Sequence, residues 1–505
     1  MAVVSGLSLG PDHTSASTRT SSPWALSLPL MLGVLMFVCL ANAGGLPLLG
    51  DPDSHWHIAV GHWILTHRTV PDVDTFSFTF SGAPWIAKEW LSQLLLTLAY
   101  DVAGWAGVEV LAGAAIALTF ALLLRLLLRD LKPLPALLFT GAAVVMMAPH
   151  FLARPHVLAF PLMLVWVSGL VRAVEERRAP EPLLLAAMLL WANMHGGFTL
   201  GLLLAGAFGL EALIGADDAV ARRSLFLAWA KFGLGAVLVA CITPYGWESI
   251  LVTSRIFSIG DALNVISEWR SPDFKAQPMQ EIVLLVALYL ALSRGVRLPL
   301  MRLLIVLGLV HLYLSYARNA ELLATLAPLA VAPLLARQFP AVRRDPALAS
   351  AGMAGRFERL ARPAGVGAAT LGLAIAALFA GIVMRFADVR PPGETMPSAA
   401  LAFARAEGLT KEHVFNHYNF GGYLLGQGVP TFIDGRGELY GGDFIRRYSQ
   451  AVNLRGDARL EEMLDRYLVE WTFLTKDAPA NKLLARLPNW RLAYSDDQAV
   501  IYVRR

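Results

Sequence analysis

The sequence predicts a polytopic α-helical membrane protein ending in a small extracytoplasmic α/β domain, and three observations carry that prediction. The first is composition. Of 505 residues, 56% are hydrophobic and 16% charged, against about 25% charged in a typical soluble domain, and the mean hydropathy is +0.54. The second is a succession of apolar runs separated by short arginine-rich segments. The third is an abrupt change after residue 385, where short alternating stretches replace long apolar ones. The formal charge of +4 does not point to nucleic acid, because the basic residues fall between apolar segments, the distribution that sets membrane topology.

Residues 1–22 are rich in Ser and Thr, poor in charge and aperiodic, and read as a disordered cytoplasmic tail without a cleavable signal. Residues 24–44 are long enough to form a retained first span. Further apolar runs lie at 106–128, 134–147, 157–171, 183–194, 198–214, 225–242, 282–292, 298–316, 322–335 and 366–384. That makes about eleven crossings, several shorter than the roughly 20 residues a spanning helix needs. Cys39 and Cys241 sit singly in apolar runs, without the paired spacing of a zinc site or a disulfide framework.

Orientation follows from the basic runs. Arg125/Arg129/Lys132, Arg172/Arg177/Arg178, Arg222/Arg223, Arg294/Arg297/Arg302 and the stretch from Arg337 to Arg362 share one side, which the positive-inside rule makes the cytoplasm. That parity requires residues 84–104, where Trp85, Lys88, Glu89, Trp90 and Gln93 interrupt the leucines, to lie along the membrane as an amphipathic helix. The multispan domain is then 23–385, its first outer loop is 46–104, and residues 386–505 lie outside.

This topology gathers the least expected polar residues on the outer face. Asp51-Pro-Asp-Ser-His-Trp-His57 opens the first loop, and the other outer segments supply Lys88, Glu89, Arg154, His156, His195, Glu268 and Arg318. A carboxylate near hydrocarbon costs several kcal/mol, so charge placed there ordinarily marks a site. The bland alternatives are a solvated Asp-Pro-Asp turn with a helix cap, arginines that snorkel at span ends, and a packed His195 where Gly196-Gly197 breaks a helix.

In the outer domain, residues 398–407, 443–453, 460–467 and 481–487 read as helices, and 413–415, 431–433, 469–474, 491–494 and 499–503 as strands. Its chemistry is concentrated in Asn416-His-Tyr-Asn-Phe-Gly-Gly422 and Asp434-Gly-Arg-Gly-Glu-Leu-Tyr440, so Asp434 and Arg436 are candidate substrate contacts. The plain alternative is that the two pair with each other and pin a turn.

The order of features over about the first 130 residues resembles the C-type glycosyltransferase superfamily, including lipid A aminoarabinose transferases and protein O-mannosyltransferases. Those features are a span, a loop opening with Pro52-Asp53, then Gly61-His-Trp-Ile64, Val70-Pro71, Pro84-Trp85 leading an amphipathic helix, and a second span ending in arginines. The resemblance implies an enzyme of the bacterial inner membrane that moves a sugar from a polyprenyl-phosphate carrier to a lipid, glycan or protein acceptor. It makes Asp53 the general base, with Asp51 in reserve. Independently, attack at an anomeric carbon calls for a carboxylate base on one face and cations for the departing phosphate on the other, here Arg154, Arg318 and Lys88.

The chain departs from the family pattern at Ser54 and at Arg154-Pro-His156, where several relatives carry acids. A wholly acidic metal site is therefore not expected, and no cofactor is required. Asp51, Asp53, His55 and His57 remain able to hold a divalent metal with mixed ligands if they gather on one helical turn. Two other classes compete with the transferase: a non-catalytic assembly protein that binds the lipid carrier, and a transporter, which would need its charges near the bilayer midplane.

Overall fold

The computed structural model describes residues 22–42, 48–257, 260, 267–345 and 352–505. The expected disordered tail therefore lies, except for its last residue, outside the described residues. The apolar runs form helices. Helix α1 (Leu28–Ala41) is capped by Ser27, whose hydroxyl accepts the Leu30 N–H at 3.3 Å. The first loop contains α2 (Asp53–His67), and α3 (Trp90–Leu127) follows. The bundle continues with α4 (Pro133–Met147), α5 (Pro155–Glu175), α6 (Leu184–Met194), α7 (Phe198–Ile214), α8 (Ala219–Ala240), α9 (Glu248–Phe257), α10 (Pro278–Ser293), α11 (Leu300–Ser315), α12 (Ala320–Gln338), α13 (Gly352–Leu360) and α14 (Val366–Phe386).

Among the described residues, six of these helices are long and apolar enough to cross a membrane. They are α3, α4 extended to His150, α5, α8, α12 extended from Ala317, and α14. Helices α1, α6, α7, α10 and α11 are apolar but shorter, at 11 to 17 residues. All the predicted runs are thus helical, and six reach spanning length.

Helix α3 shows how the chain handles excess length. Its 38 residues would rise about 57 Å if straight, nearly twice the hydrocarbon thickness. Non-helical backbone at Ala103 and at Gly104, where φ is 59°, divides it. Glycine adopts that left-handed value without a Cβ penalty. Residues 90–102 are the helical part of the predicted amphipathic segment, and the apolar part follows the kink. Residues 84–89 are not helical, and Pro84 instead bridges antiparallel to Val73.

The two ends of α5 carry buried charge. At its C-terminal end, Arg302 of α11 is fully enclosed, with Nε 2.6 Å from Glu211, Nη2 3.1 Å from Glu175, and its guanidinium over the Phe208 ring. Arg302, counted in sequence among the basic residues that set topology, is thus a buried ion-pair partner. It ties α5, α7 and α11 together, because a cation removed from water needs carboxylates around it. The N-terminal end of α5, about 30 Å away by helical rise, carries Arg154.

The outer domain is built from α15 (Ser398–Ala406), β1 (Val414–Asn416), α16 (Tyr418–Gly426), α17 (Gly437–Asn453), α18 (Leu460–Arg466), β2 (Trp471–Thr475), α19 (Ala480–Leu484), β3 (Trp490–Ser495) and β4 (Ala499–Arg504). Its four-stranded sheet has the order β1-β2-β4-β3, with β1 and β2 parallel and the other pairs antiparallel. The segment predicted as a strand at 431–433 does not join this sheet. Thr431 forms an isolated parallel bridge with Ser77 of the first loop, and the Thr79 hydroxyl donates to the Phe432 carbonyl at 2.8 Å.

That seam is locked by charge. Arg436 places Nη1 2.6 Å from Asp74 of the first loop and Nη2 2.7 Å from Asp434, between the rings of Phe76 and Trp85. Tyr440 and Thr431 hydroxyls donate to Asp434 at 2.7 and 2.9 Å. Asp74→Ala is expected to cost about 3 kcal/mol, since it leaves a buried cation short of a partner. Thermal unfolding of the purified protein would register the loss, and limited proteolysis would place it at the seam between first loop and outer domain.

Candidate active site

The site is assembled around the start of α2. The Asp51 carboxylate accepts the Asp53 N–H at 2.7 Å, an Asx-type turn that launches the helix and sets Asp53 at its N-terminal, electropositive end. Ser54 then donates its hydroxyl to the Ala153 carbonyl at 3.0 Å, while the Ala153 N–H donates to the Leu48 carbonyl at 2.7 Å. These bonds hold the turn beside the N-terminus of α5, which Pro155 begins and Arg154 precedes. The departure from the family pattern at Ser54 thus has a structural use.

Arg154 is the hub. Its Nε lies 2.8 Å from Asp51, Nη1 2.5 Å from Glu268, and Nη2 pairs with Asp53. Glu268 is shared, because its other oxygen meets Arg318 at 2.9 Å, and Arg318 also lies over the Trp269 ring at 4.5 Å. A small cleft continues from here, lined by His150, Leu152, His156, Glu268, Arg318 and Glu321. His156 stands 3.6 Å from Glu321, and its ring centroid is 6.2 Å from that of His195.

The second side of the site comes from the segment before α3. Glu89 lies 3.8 Å from His195 and 4.0 Å from His57. His195 ends α6 in an extended conformation, as the glycines after it suggested, and its Nδ1 accepts the Gly197 N–H at 3.2 Å. Trp90 fixes this junction by donating to Asn193 at 2.8 Å. Lys88 is not free for a phosphate as placed, because its ammonium meets Glu438 of the outer domain at 3.0 Å.

Burial and charge divide the acids into two kinds. Burial pushes Glu268 up, but the Arg154 and Arg318 guanidinia outweigh it and bring its pKa to about 2. Burial raises Asp51 to about 7 against the pull of Arg154, with the charges of Asp53 and Glu268 adding to the rise. Asp53 is raised by burial too, and Arg154 again opposes. Two guanidinia do not offset three carboxylates, so Glu268, which meets both, keeps its charge, while the two aspartates share Arg154 alone. Burial lowers His195 to about 3, with Arg318 and Lys88 adding to it, and holds His57 well below the ordinary imidazole range.

The sequence-derived candidates divide accordingly. Asp51, Asp53, Arg154, Glu268 and Arg318 converge, with His156 adjoining. Lys88, Glu89 and His195 form the neighbouring wall. Asp434 and Arg436 are fully buried and occupied with each other, as the plainer reading expected, and also with Asp74, so that they pin the seam to the first loop and not a turn alone. His55 and His57 do not converge. His55 packs edge-on between Trp105 and Tyr423, whereas His57 lies against Trp56 and faces Glu89. The nearby oxygens of Asp51, Asp53 and Glu268, the donors a hard cation would require, are turned to Arg154. Among the described residues no group of three or more His, Cys, Asp or Glu is arranged to hold a metal ion.

Sequence reasoning missed Glu321 and Tyr418. Glu321 looks like an ordinary first-turn acid of an apolar helix. Tyr418 lies within a motif singled out for its glycines and histidine, yet burial raises its phenol with the charges of Asp53, Asp434 and Glu268 close by. Gly435 is also a contact, since a Cβ built there would run into the Asp53 carboxylate.

The architecture is therefore that of a helical membrane protein with a polar site against its C-terminal α/β domain. No protein-family model and no curated protein matches the sequence. Among solved structures, the chain is similar to ArnT from Cupriavidus metallidurans bound to undecaprenyl phosphate, at 13% identity and a TM-score of 0.49 over 94% of this chain and 97% of that one. It is also similar to the Archaeoglobus fulgidus oligosaccharyltransferase tethered with an acceptor peptide, at 12% identity and a TM-score of 0.47 over 94% and 74% of the two chains. A third similar structure is AglB from the same organism with an inhibitory peptide and a dolichol-phosphate, at 11% identity and 0.45 over 94% and 74%.

The Asp51 shift has a pH signature. With its pKa raised from 3.8 to about 7, the folded state keeps a proton that the unfolded chain releases above pH 4. Stability from this group is complete below pH 4 and falls as pH rises to 7, by a few kcal/mol at about 1.4 per unit. The buried histidines act in the opposite sense, losing stability as pH falls below 6.5. The difference in melting temperature between wild type and Asp51→Asn is therefore expected to shift steadily in favour of the variant between pH 4 and 7.

Proposed function

We propose that this chain is a membrane glycosyltransferase that moves a sugar from a polyprenyl-phosphate carrier to an acceptor on the extracytoplasmic face. The observation that carries the reading is the placement of Asp53. It lies at the N-terminal end of a first-loop helix, paired with Arg154, whose further partner Glu268 also meets Arg318, and against Gly435 of the C-terminal domain. The match of the first-loop motif to the superfamily supports it, as does the confinement of this chemistry to one end of the apolar helices.

In the reaction, the Asp53 carboxylate takes the proton of the acceptor hydroxyl as its oxygen attacks the anomeric carbon. The bond from that carbon to the carrier's phosphate oxygen breaks on the opposite face, so configuration inverts. The leaving phosphate gains charge, and Arg318, which lines the cleft, supplies guanidinium donors to it. A carboxylate whose pKa is raised by burial, as that of Asp53 is, suits proton abstraction better than an ordinary one. His195 and Glu89 shape the wall toward Lys88. The basic segments support a cytoplasmic N-terminus, with the outer domain on the far side.

The test uses membranes containing wild type or Asp53→Asn, offered a panel of polyprenyl-phosphate sugars, with release of free polyprenyl phosphate as readout. Wild type is expected to consume at least one donor. Asn keeps the shape and removes the base, so the variant is expected to be slower by at least about a hundredfold. A folded, inserted wild type that releases carrier from no donor would leave the assembly-protein reading in its place.

A further inference from the structure

We infer that Arg154 is a built-in cation standing where a divalent metal would otherwise be required, so that the cluster of Asp51, Asp53 and Glu268 is completed by a guanidinium and takes up no metal ion. Three acidic side chains come together here from two distant segments, residues 51–53 and 268, and each directs an oxygen at a different nitrogen of the same guanidinium. Left to themselves these carboxylates would repel one another at low dielectric. A hard divalent ion is one solution to that repulsion, and it needs the same oxygens at about 2.0–2.6 Å. Arg154 is the other solution. It is covalently part of the chain and only 14% exposed, and guanidinium keeps its charge at any working pH.

Its position is built from several directions. Arg154 occupies the N-cap of α5, with Pro155 fixing the first turn, and the preceding Ala153 is bonded through both its N–H and its carbonyl to Leu48 and Ser54. The arginine is therefore held against Asp51 and Asp53 by backbone as well as by charge. Arg318 differs: among the described residues its ion-pair partner is Glu268 alone, and it borders the cleft. The two arginines accordingly divide the work. Arg154 is a positioning residue that holds the acid cluster, while Arg318 is the cation that faces a ligand. The role of Asp53 as a base rests on the transferase reading, whereas the charge assignment does not.

The experiment is a Mn²⁺ titration of the purified full-length protein in lipid nanodiscs, followed by the loss of the free-ion electron paramagnetic resonance signal. Wild type is expected to bind no Mn²⁺ at this cluster up to about 1 mM, the weak limit of oxygen-ligand sites. Arg154→Ala removes the resident cation, and it is expected to gain one Mn²⁺ with an affinity near 10⁻⁴ M or better, roughly ten times stronger than that limit. Adding Asp51→Asn to Arg154→Ala is expected to abolish the gain. Wild-type binding that disappears on Asp51→Asn would overturn the inference, and so would a folded Arg154→Ala protein that binds nothing. If Arg154→Ala does not fold, the wild-type titration and its Asp51→Asn control still decide the matter. Failure of the transferase reading would show separately, as absence of carrier release from a protein whose Mn²⁺ behaviour is as expected.

Discussion

The ion cluster on Arg154 is the constraint around which the polar half of the molecule is arranged. One guanidinium joins the first outer loop, the N-terminus of α5 and the segment at Glu268, parts of the chain separated by more than a hundred residues. The pairing makes burial of these acids tolerable and also leaves it incomplete, because there are more carboxylates than cations. That imbalance raises the aspartates while Glu268, held by two arginines, stays low. A site with acids poised differently in one small volume follows from charge arithmetic and burial, without any strained backbone.

A second constraint is the joint between the outer domain and the first loop. Phe432, Thr431 and Arg436 are bonded to residues 74–79, and Lys88 reaches Glu438. The C-terminal domain is thus docked on the loop that carries the candidate base. Gly435 makes the closest approach, since any side chain there would displace Asp53. Asp434 and Arg436, which look like site residues in sequence, serve this joint: a buried pair with a third partner is stable only while all its members remain.

Along the membrane axis, two charged clusters bracket α5. Arg302 with Glu175 and Glu211 closes one end, and Arg154 closes the other. Between them the bundle is packed from Leu, Val, Ala, Phe and Trp, with Phe120, Trp166 and Phe208 fully enclosed. Charge gathered at the two ends is the arrangement expected where water is available at the two faces.

What the sequence by itself determined is the class of molecule and the address of its chemistry. Long apolar runs, arginines between them, the end of the amphipathic segment at residue 104 and the Asp51–His57 motif are local signals, and each reflects a cost that acts within a few residues: burial of backbone or desolvation of charge. The tertiary structure decided which charges neutralise which. Arg154 looks like a phosphate ligand in sequence and is held by three acids; Arg302 looks like one of the topology-setting arginines and is fully buried; His55 and His57 are near neighbours in sequence and point to different surroundings. Pairing over such distances depends on how helices pack and where the outer domain docks, and neither hydropathy nor spacing contains that information.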